Sequence, residues 1–176
     1  MTDVPIPPTM DPPQTRADRG RPFGWPILFA PLVFIAHFLE EGRGFVSWFN
    51  AHVPNGITES LFWTVNVNAL AITVGVVVLA WLVPSGFSPL AVVAWFSFLM
   101  AANALLHIVG AIVDRAYMPG LVTAILLYLP FYTWVMRETV RSRRWTPAAI
   151  VSIAILGALP MLAHGYLIIF RQSRLF

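Results

Sequence analysis

One imidazole and two carboxylates stand together in the run His37-Phe38-Leu39-Glu40-Glu41. On a helix, positions i, i+3, i+4 and i+7 share a side, so His37, Glu40, Glu41 and Gly44 are expected to face one way. Asn103, His107, Gly110 and Asp114 repeat that spacing, and Gly157, Pro160 and His164 make a third face whose small residues let a neighbour approach closely. Neutral imidazole and carboxylate are ligands of zinc and of non-haem iron, and the same groups serve general acid–base chemistry. The chain has no cysteine, which excludes disulfides, thiolate catalysis and cysteine-held metal; any metal must use His, Asp or Glu.

The elements that must position these residues read as membrane helices. Hydrophobic residues make up 58% of the 176 and charged ones 11%, with a mean hydropathy of +0.74, where soluble domains carry about a quarter charged residues. An all-α integral membrane bundle of about five helices follows from the apolar runs. The first runs from Pro22 to Ala36 and continues helically through the acidic motif to Phe45, Trp48 and Phe49. The others cover about Leu61 to Val83, Phe87 to Val113, Pro119 to Met136 and Pro147 to Phe170, with turn signals at Pro54-Asn55-Gly56 and Pro84-Ser85-Gly86. The polar, proline-rich residues 1–22 read as a disordered cytoplasmic tail and 23–176 as one transmembrane domain. No internal repeat is evident.

The net charge is +3, carried by eleven arginines and no lysine, and these flank apolar runs instead of forming a phosphate-tracking patch; nucleic acid is not an expected partner. Arg16, Arg19 and Arg21 with Arg137, Arg141, Arg143 and Arg144 make seven on one side, against four on the other: Arg43, Arg115, Arg171 and Arg174. That bias predicts a cytoplasmic N-terminus in a bacterial inner membrane and an external C-terminus. With that topology His37 lies ~15 residues into its helix, His107 ~20 and His164 ~17, so at ~1.5 Å per residue they fall within about 8 Å of a common level. Thr64, Asn66, Asn68, Tyr117 and Thr123 come from the first turns of the second and fourth helices at the same end.

A carboxylate at mid-helix costs about 2.5–3.5 kcal/mol on insertion scales, so two adjacent ones must be paired, protonated or metal-bound. The bland alternative ends the first helix at the interface, with Arg43 neutralising one Glu. His107 then merely bonds Asn103, and His164 a carbonyl. Asp114 with Arg115 reads as a solvated interfacial pair, Pro119-Gly120 as the start of the fourth helix, and His52 as a loop residue. Tyr117 suits either an aromatic belt or a proton donor near the site.

The motif His37 to Glu41, a second histidine at His107 and Tyr117-Met118-Pro119-Gly120 together resemble the HXXEE-domain family of bacterial membrane proteins. The resemblance runs from the first helix to the fourth. It implies a membrane location and an enzymatic site, and supplies no substrate.

The expectation is a membrane-embedded enzyme, metal-dependent with zinc or iron, acting on a lipid or another hydrophobic small molecule. His37, His107 and one of Glu40 or Glu41 are the expected metal ligands, with His164 as a further imidazole, the remaining Glu as acid or base, and Asn103 orienting His107 or the substrate. One alternative is a metal-free isomerase or cyclase in which a protonated Glu acts on an alkene or epoxide, with Trp48, Trp63 and Trp95 stabilising a cation. Another is a proton-coupled transporter, and the last an assembly partner without chemistry.

Overall fold

The computed structural model describes residues 20–84 and 86–173. Most of the tail assigned to residues 1–22 therefore lies outside the described residues. The molecule is 80% helical and contains no strand among the described residues. A short 3₁₀ segment, Trp25–Phe29, leads into α1 (Ala30–Glu41); α2 (Phe45–His52) and α3 (Glu59–Leu82) follow. The next helix consists of α4 (Ser88–Phe96), a π-helical stretch Ser97–Ala102 and α5 (Asn103–Asp114). After a loop come α6 (Leu121–Thr123), a second π stretch Ala124–Tyr128, α7 (Leu129–Arg141) and finally α8 (Pro147–Arg171).

Helix boundaries follow local chemistry. Thr58 Oγ1 accepts from Leu61 N at 3.1 Å to open α3, and Thr146 Oγ1 accepts from Ala149 N at 3.2 Å ahead of Pro147 to open α8. Among the described residues three stretches, Glu59–Leu82, Ser88–Asp114 and Pro147–Arg171, are long and apolar enough to cross a membrane. Only 17% of the most apolar window of α3, and of α8, is buried, leaving Val, Leu and Ile faces that suit lipid and not water.

The first apolar run differs from its expectation. It continues through the acidic motif as far as Glu41 but breaks just after it, at Gly42-Arg43-Gly44, and Trp25–Glu41 and Phe45–His52 meet at 62°, a fourth span only if the bent pair is counted as one. Glycine is a weak helix former, and here the break is also wedged: a Cβ on Gly42 would stand 3.0 Å from Trp63, and one on Gly44 3.2 Å from Pro119. Gly44 therefore leaves the face that His37 and Glu41 share. Residues 121–141 are helical throughout, as expected, yet fall outside the set apolar enough to span, since Tyr, Trp and Pro interrupt the run and Arg137, Glu138 and Arg141 close it.

The core packs Phe34, Val92, Val93, Phe96, Met100, Ala124, Tyr128 and Val135 around α1, α4 and α7. Gly157 of α8 lies so close to the Ala94 backbone that a Cβ would meet its carbonyl oxygen at 2.3 Å, the small-residue approach expected of that face. Arg144 bonds the carbonyls of Pro84 and Gly20, the latter at 2.7 Å, and the Arg21 guanidinium lies 3.9 Å over Trp81. These contacts gather Arg21 and Arg144 at one end. The acidic motif lies at the other.

Candidate metal centre

Regular α5 geometry carries Asn103, His107 and Gly110 on one buried face. On α1, His37 and Glu41 are one turn apart and also buried. The two faces meet. Glu41 Oε1 lies 3.0 Å from His107 Nε2 and 3.4 Å from His37 Nε2, and one ligand atom from each of the three residues falls within 4.8 Å of the others. His37 and His107 are 0% exposed and Glu41 5%, so this carboxylate has exchanged water for two imidazoles. At ~1.5 Å per residue, His107 sits about 10 Å of rise below the end of α5.

Gly120 makes the convergence possible. Its φ of +98° belongs to the left-handed region that favours glycine, and a Cβ there would stand 2.5 Å from His107 Cε1 and 2.9 Å from Glu41 Cγ. The Tyr117–Gly120 turn thus presses backbone against both side chains. Met118, fully buried, fills the space that Gly110 leaves.

Glu40 points elsewhere. Its Oε1 accepts from Tyr117 Oη at 2.5 Å and from Val122 N at 3.1 Å, and its Oε2 from Thr123 N at 2.8 Å and Thr123 Oγ1 at 2.5 Å. It caps the helical stretch that starts at Leu121, where free N–H groups and the positive end of the helix dipole favour a carboxylate. Burial, and then the Glu40 carboxylate, push the Tyr117 phenol above its ordinary value of 10.0. Thr123 Oγ1 is also 2.9 Å from His37 Nδ1, and Asn103 Nδ2 is 3.1 Å from His37 Nε2.

Among the described residues, three buried side-chain atoms lack a hydrogen-bond partner in good geometry: both ring nitrogens of His107 and the hydroxyl oxygen of Tyr128. His107 Nε2, though near Glu41, is not aimed along a hydrogen bond. Such orphans are rare in a packed interior and call for an explanation, one being an ion. Three electron-rich atoms converging in a buried space, two of them imidazole nitrogens, fit a cation with N/O preference. Tyr128 was not singled out by its sequence; its ring lies 4.0 Å from that of His37, tilted by 32°.

Other expected members stand apart. His164 is buried but outside the three-residue group, its ring 6.2 Å from Phe49 in a stacked arrangement. Thr64 and Asn66 bond back to carbonyls of their own helix, and Asn68 is exposed. Asp114 does not pair with Arg115: its Oδ2 accepts from Trp48 Nε1 at 2.6 Å, and its Oδ1 is 3.0 Å from His52 Nε2. His52 lies in the last turn of α2, not in a loop, with Nδ1 2.8 Å from the Trp48 carbonyl. Adjacent helical residues diverge, and the bend at Gly42–Gly44 swings α2 across the end of α5.

Comparison with known proteins adds one decisive match. Residues 28–135 fit the family model described as proteins of unknown function with an HXXEE motif. The chain belongs to the HXXEE family. The matched stretch contains His37, Glu40, Glu41, Asn103, His107, the Tyr117–Gly120 turn and Tyr128, but ends before His164. No curated protein and no solved structure matches this HXXEE chain.

Proposed function

We propose that this HXXEE protein is a membrane-embedded, metal-dependent enzyme acting on a lipid or another hydrophobic small molecule. The reading is carried by the buried convergence of His37 Nε2, Glu41 Oε1 and His107 Nε2. Two imidazoles and one carboxylate match catalytic zinc sites, which keep a further position open, and they also suit iron. A bound metal supplies Lewis acidity and an activated water. The chain's own groups would then divide the work: Glu41 balances the cation's charge, Asn103 donates to His37 Nε2 while that nitrogen is unliganded and yields it to the cation, and the unpartnered Tyr128 hydroxyl is available to donate to a bound oxygen. The apolar outer faces of α3 and α8 support delivery of substrate from the bilayer. The arginine distribution supports a bacterial inner-membrane protein with the arginine-rich end cytoplasmic and the centre toward the outer leaflet.

The test joins elemental analysis of the purified protein to mass spectrometry of copurifying lipids. Near-stoichiometric zinc or iron is expected, lost in His107→Ala; active wild-type protein without metal would sink the reading.

One observation favours a second reading. Glu41 is flanked by two imidazoles, and the buried Tyr128 phenol packs against one of them, a set able to move a proton onto and off an alkene or epoxide without metal. Activity that survives chelation but disappears in Glu41→Gln would select this isomerase or cyclase chemistry.

A further inference from the structure

Glu40 and Glu41 are neighbours in sequence and part company in space. An ionised carboxylate only accepts hydrogen bonds, with about four lone-pair sites. At Glu40 four donors occupy them: Tyr117 Oη and Val122 N on Oε1, Thr123 N and Thr123 Oγ1 on Oε2. Thr123 has a single hydroxyl hydrogen. The 2.5 Å contact with Glu40 Oε2 is much shorter than the 3.3 Å contact of the same hydroxyl with the Gly120 carbonyl, so the hydrogen lies toward Glu40. Thr123 Oγ1 then meets His37 Nδ1, 2.9 Å away, as an acceptor, and the ring nitrogen must donate. In a neutral imidazole the other nitrogen is left as an acceptor, and Asn103 Nδ2, 3.1 Å from His37 Nε2, is a donor suited to it.

We propose that Glu40 is a positioning residue acting through Thr123: it turns the Thr123 hydroxyl so that His37 keeps its proton on Nδ1 and leaves Nε2 unprotonated, on the side where Asn103, Glu41 and His107 meet. A carboxylate behind a metal-ligating histidine is a common way to fix its tautomer, and here a threonine hydroxyl stands between them. The consequence for metal affinity rests on the metal reading above; the tautomer does not.

The test uses the full chain, ¹⁵N-labelled at histidine and purified metal-free in detergent, with ¹⁵N–¹H correlation of the side-chain nitrogens to read which one carries the proton. Wild-type His37 is expected as the Nδ1–H form, retained in Thr123→Ser and lost or mixed in Thr123→Val. Glu40→Gln, which sets an amide donor against the Thr123 donors, is expected to shift it the same way and covers the case in which Thr123→Val does not fold. Zinc titration by calorimetry should then weaken about 10- to 100-fold in Thr123→Val and stay within about threefold in Thr123→Ser. An Nε2–H tautomer in wild type, or an unchanged Nδ1–H form in Glu40→Gln, overturns the proposal. Wild-type protein with the Nδ1–H form that takes up no zinc defeats the metal reading instead and leaves the positioning role standing.

Discussion

The rings of His37 and His107 stand nearly perpendicular, their centroids 4.9 Å apart and their planes at 79°, and each brings Nε2 to the same atom, Glu41 Oε1. Two side chains 70 positions apart therefore share one oxygen, and that oxygen is where substitutions should be most telling.

Glu41→Gln exchanges the shared anionic oxygen for a neutral amide of equal size. Zinc affinity should fall by more than about 100-fold, because losing a contact behind a ligand already costs 10- to 100-fold. The metal-free variant should melt no lower than metal-free wild type, since beside neutral imidazoles a buried carboxylate costs more to hold out of water than a neutral amide. Calorimetric zinc titration and thermal unfolding in the same detergent check both halves; unchanged zinc binding would remove Glu41 from the ligands.

Gly120→Ala combines a positive φ with a Cβ pressed against His107 and Glu41. Backbone strain and overpacking together should destabilise the protein by about 2–4 kcal/mol. Chemical unfolding of the metal-free protein reads this directly. A loss below about 0.5 kcal/mol would show that the turn yields easily and does not hold the two ligands.

The centre was legible in part because helix geometry is rigid. His37 with Glu41, and Asn103 with His107, are one turn apart, and such pairs share a face wherever the helix is regular. Thr123 and Tyr128 both touch His37 although they are i and i+5, which an ordinary α-helix turns to different faces. The π-helical stretch Ala124–Tyr128 brings them round together, and α-helical periodicity has no means of announcing it. The break after Glu41 did leave a trace in Gly42 and Gly44, but the wedge that enforces it comes from Trp63 and Pro119, far along the chain. Asp114 drew its expected partner from its sequence neighbour, whereas the bend delivered Trp48 and His52.

Tyr117 gives a pH test with a definite sign. Its phenol titrates above 10.0 in the folded protein, so the unfolded chain releases the proton first as pH rises. The stabilisation is complete below pH 10 and declines as pH climbs through the higher folded value. Melting temperatures from pH 8 to 11 should fall more steeply in wild type than in Tyr117→Phe; parallel profiles would show that neither burial nor Glu40 raises this phenol.

Asp114→Asn should loosen α2 without touching the centre. Its carboxylate holds Trp48 Nε1 and His52 Nε2 at a partly buried position, so the expected loss is about 1 kcal/mol. Hydrogen exchange of the Phe45–His52 amides should quicken, while zinc affinity stays within about threefold. Unchanged exchange would mean that α2 is held by its apolar contacts alone.

The 86 residues that separate His37 from Thr123 carry a consequence for biogenesis. If the bent pair counts as a span, α1 enters the lipid while most partners of its imidazole and both carboxylates are still to be synthesised, and Thr123 and Tyr128 arrive last. Throughout that interval such a helix would be a poor lodger in hydrocarbon, expected to wait near the headgroups or at the insertion machinery until the later helices arrive. Quality-control proteases would meet their best substrate then, and truncation before residue 123 should yield a chain that is degraded instead of accumulated.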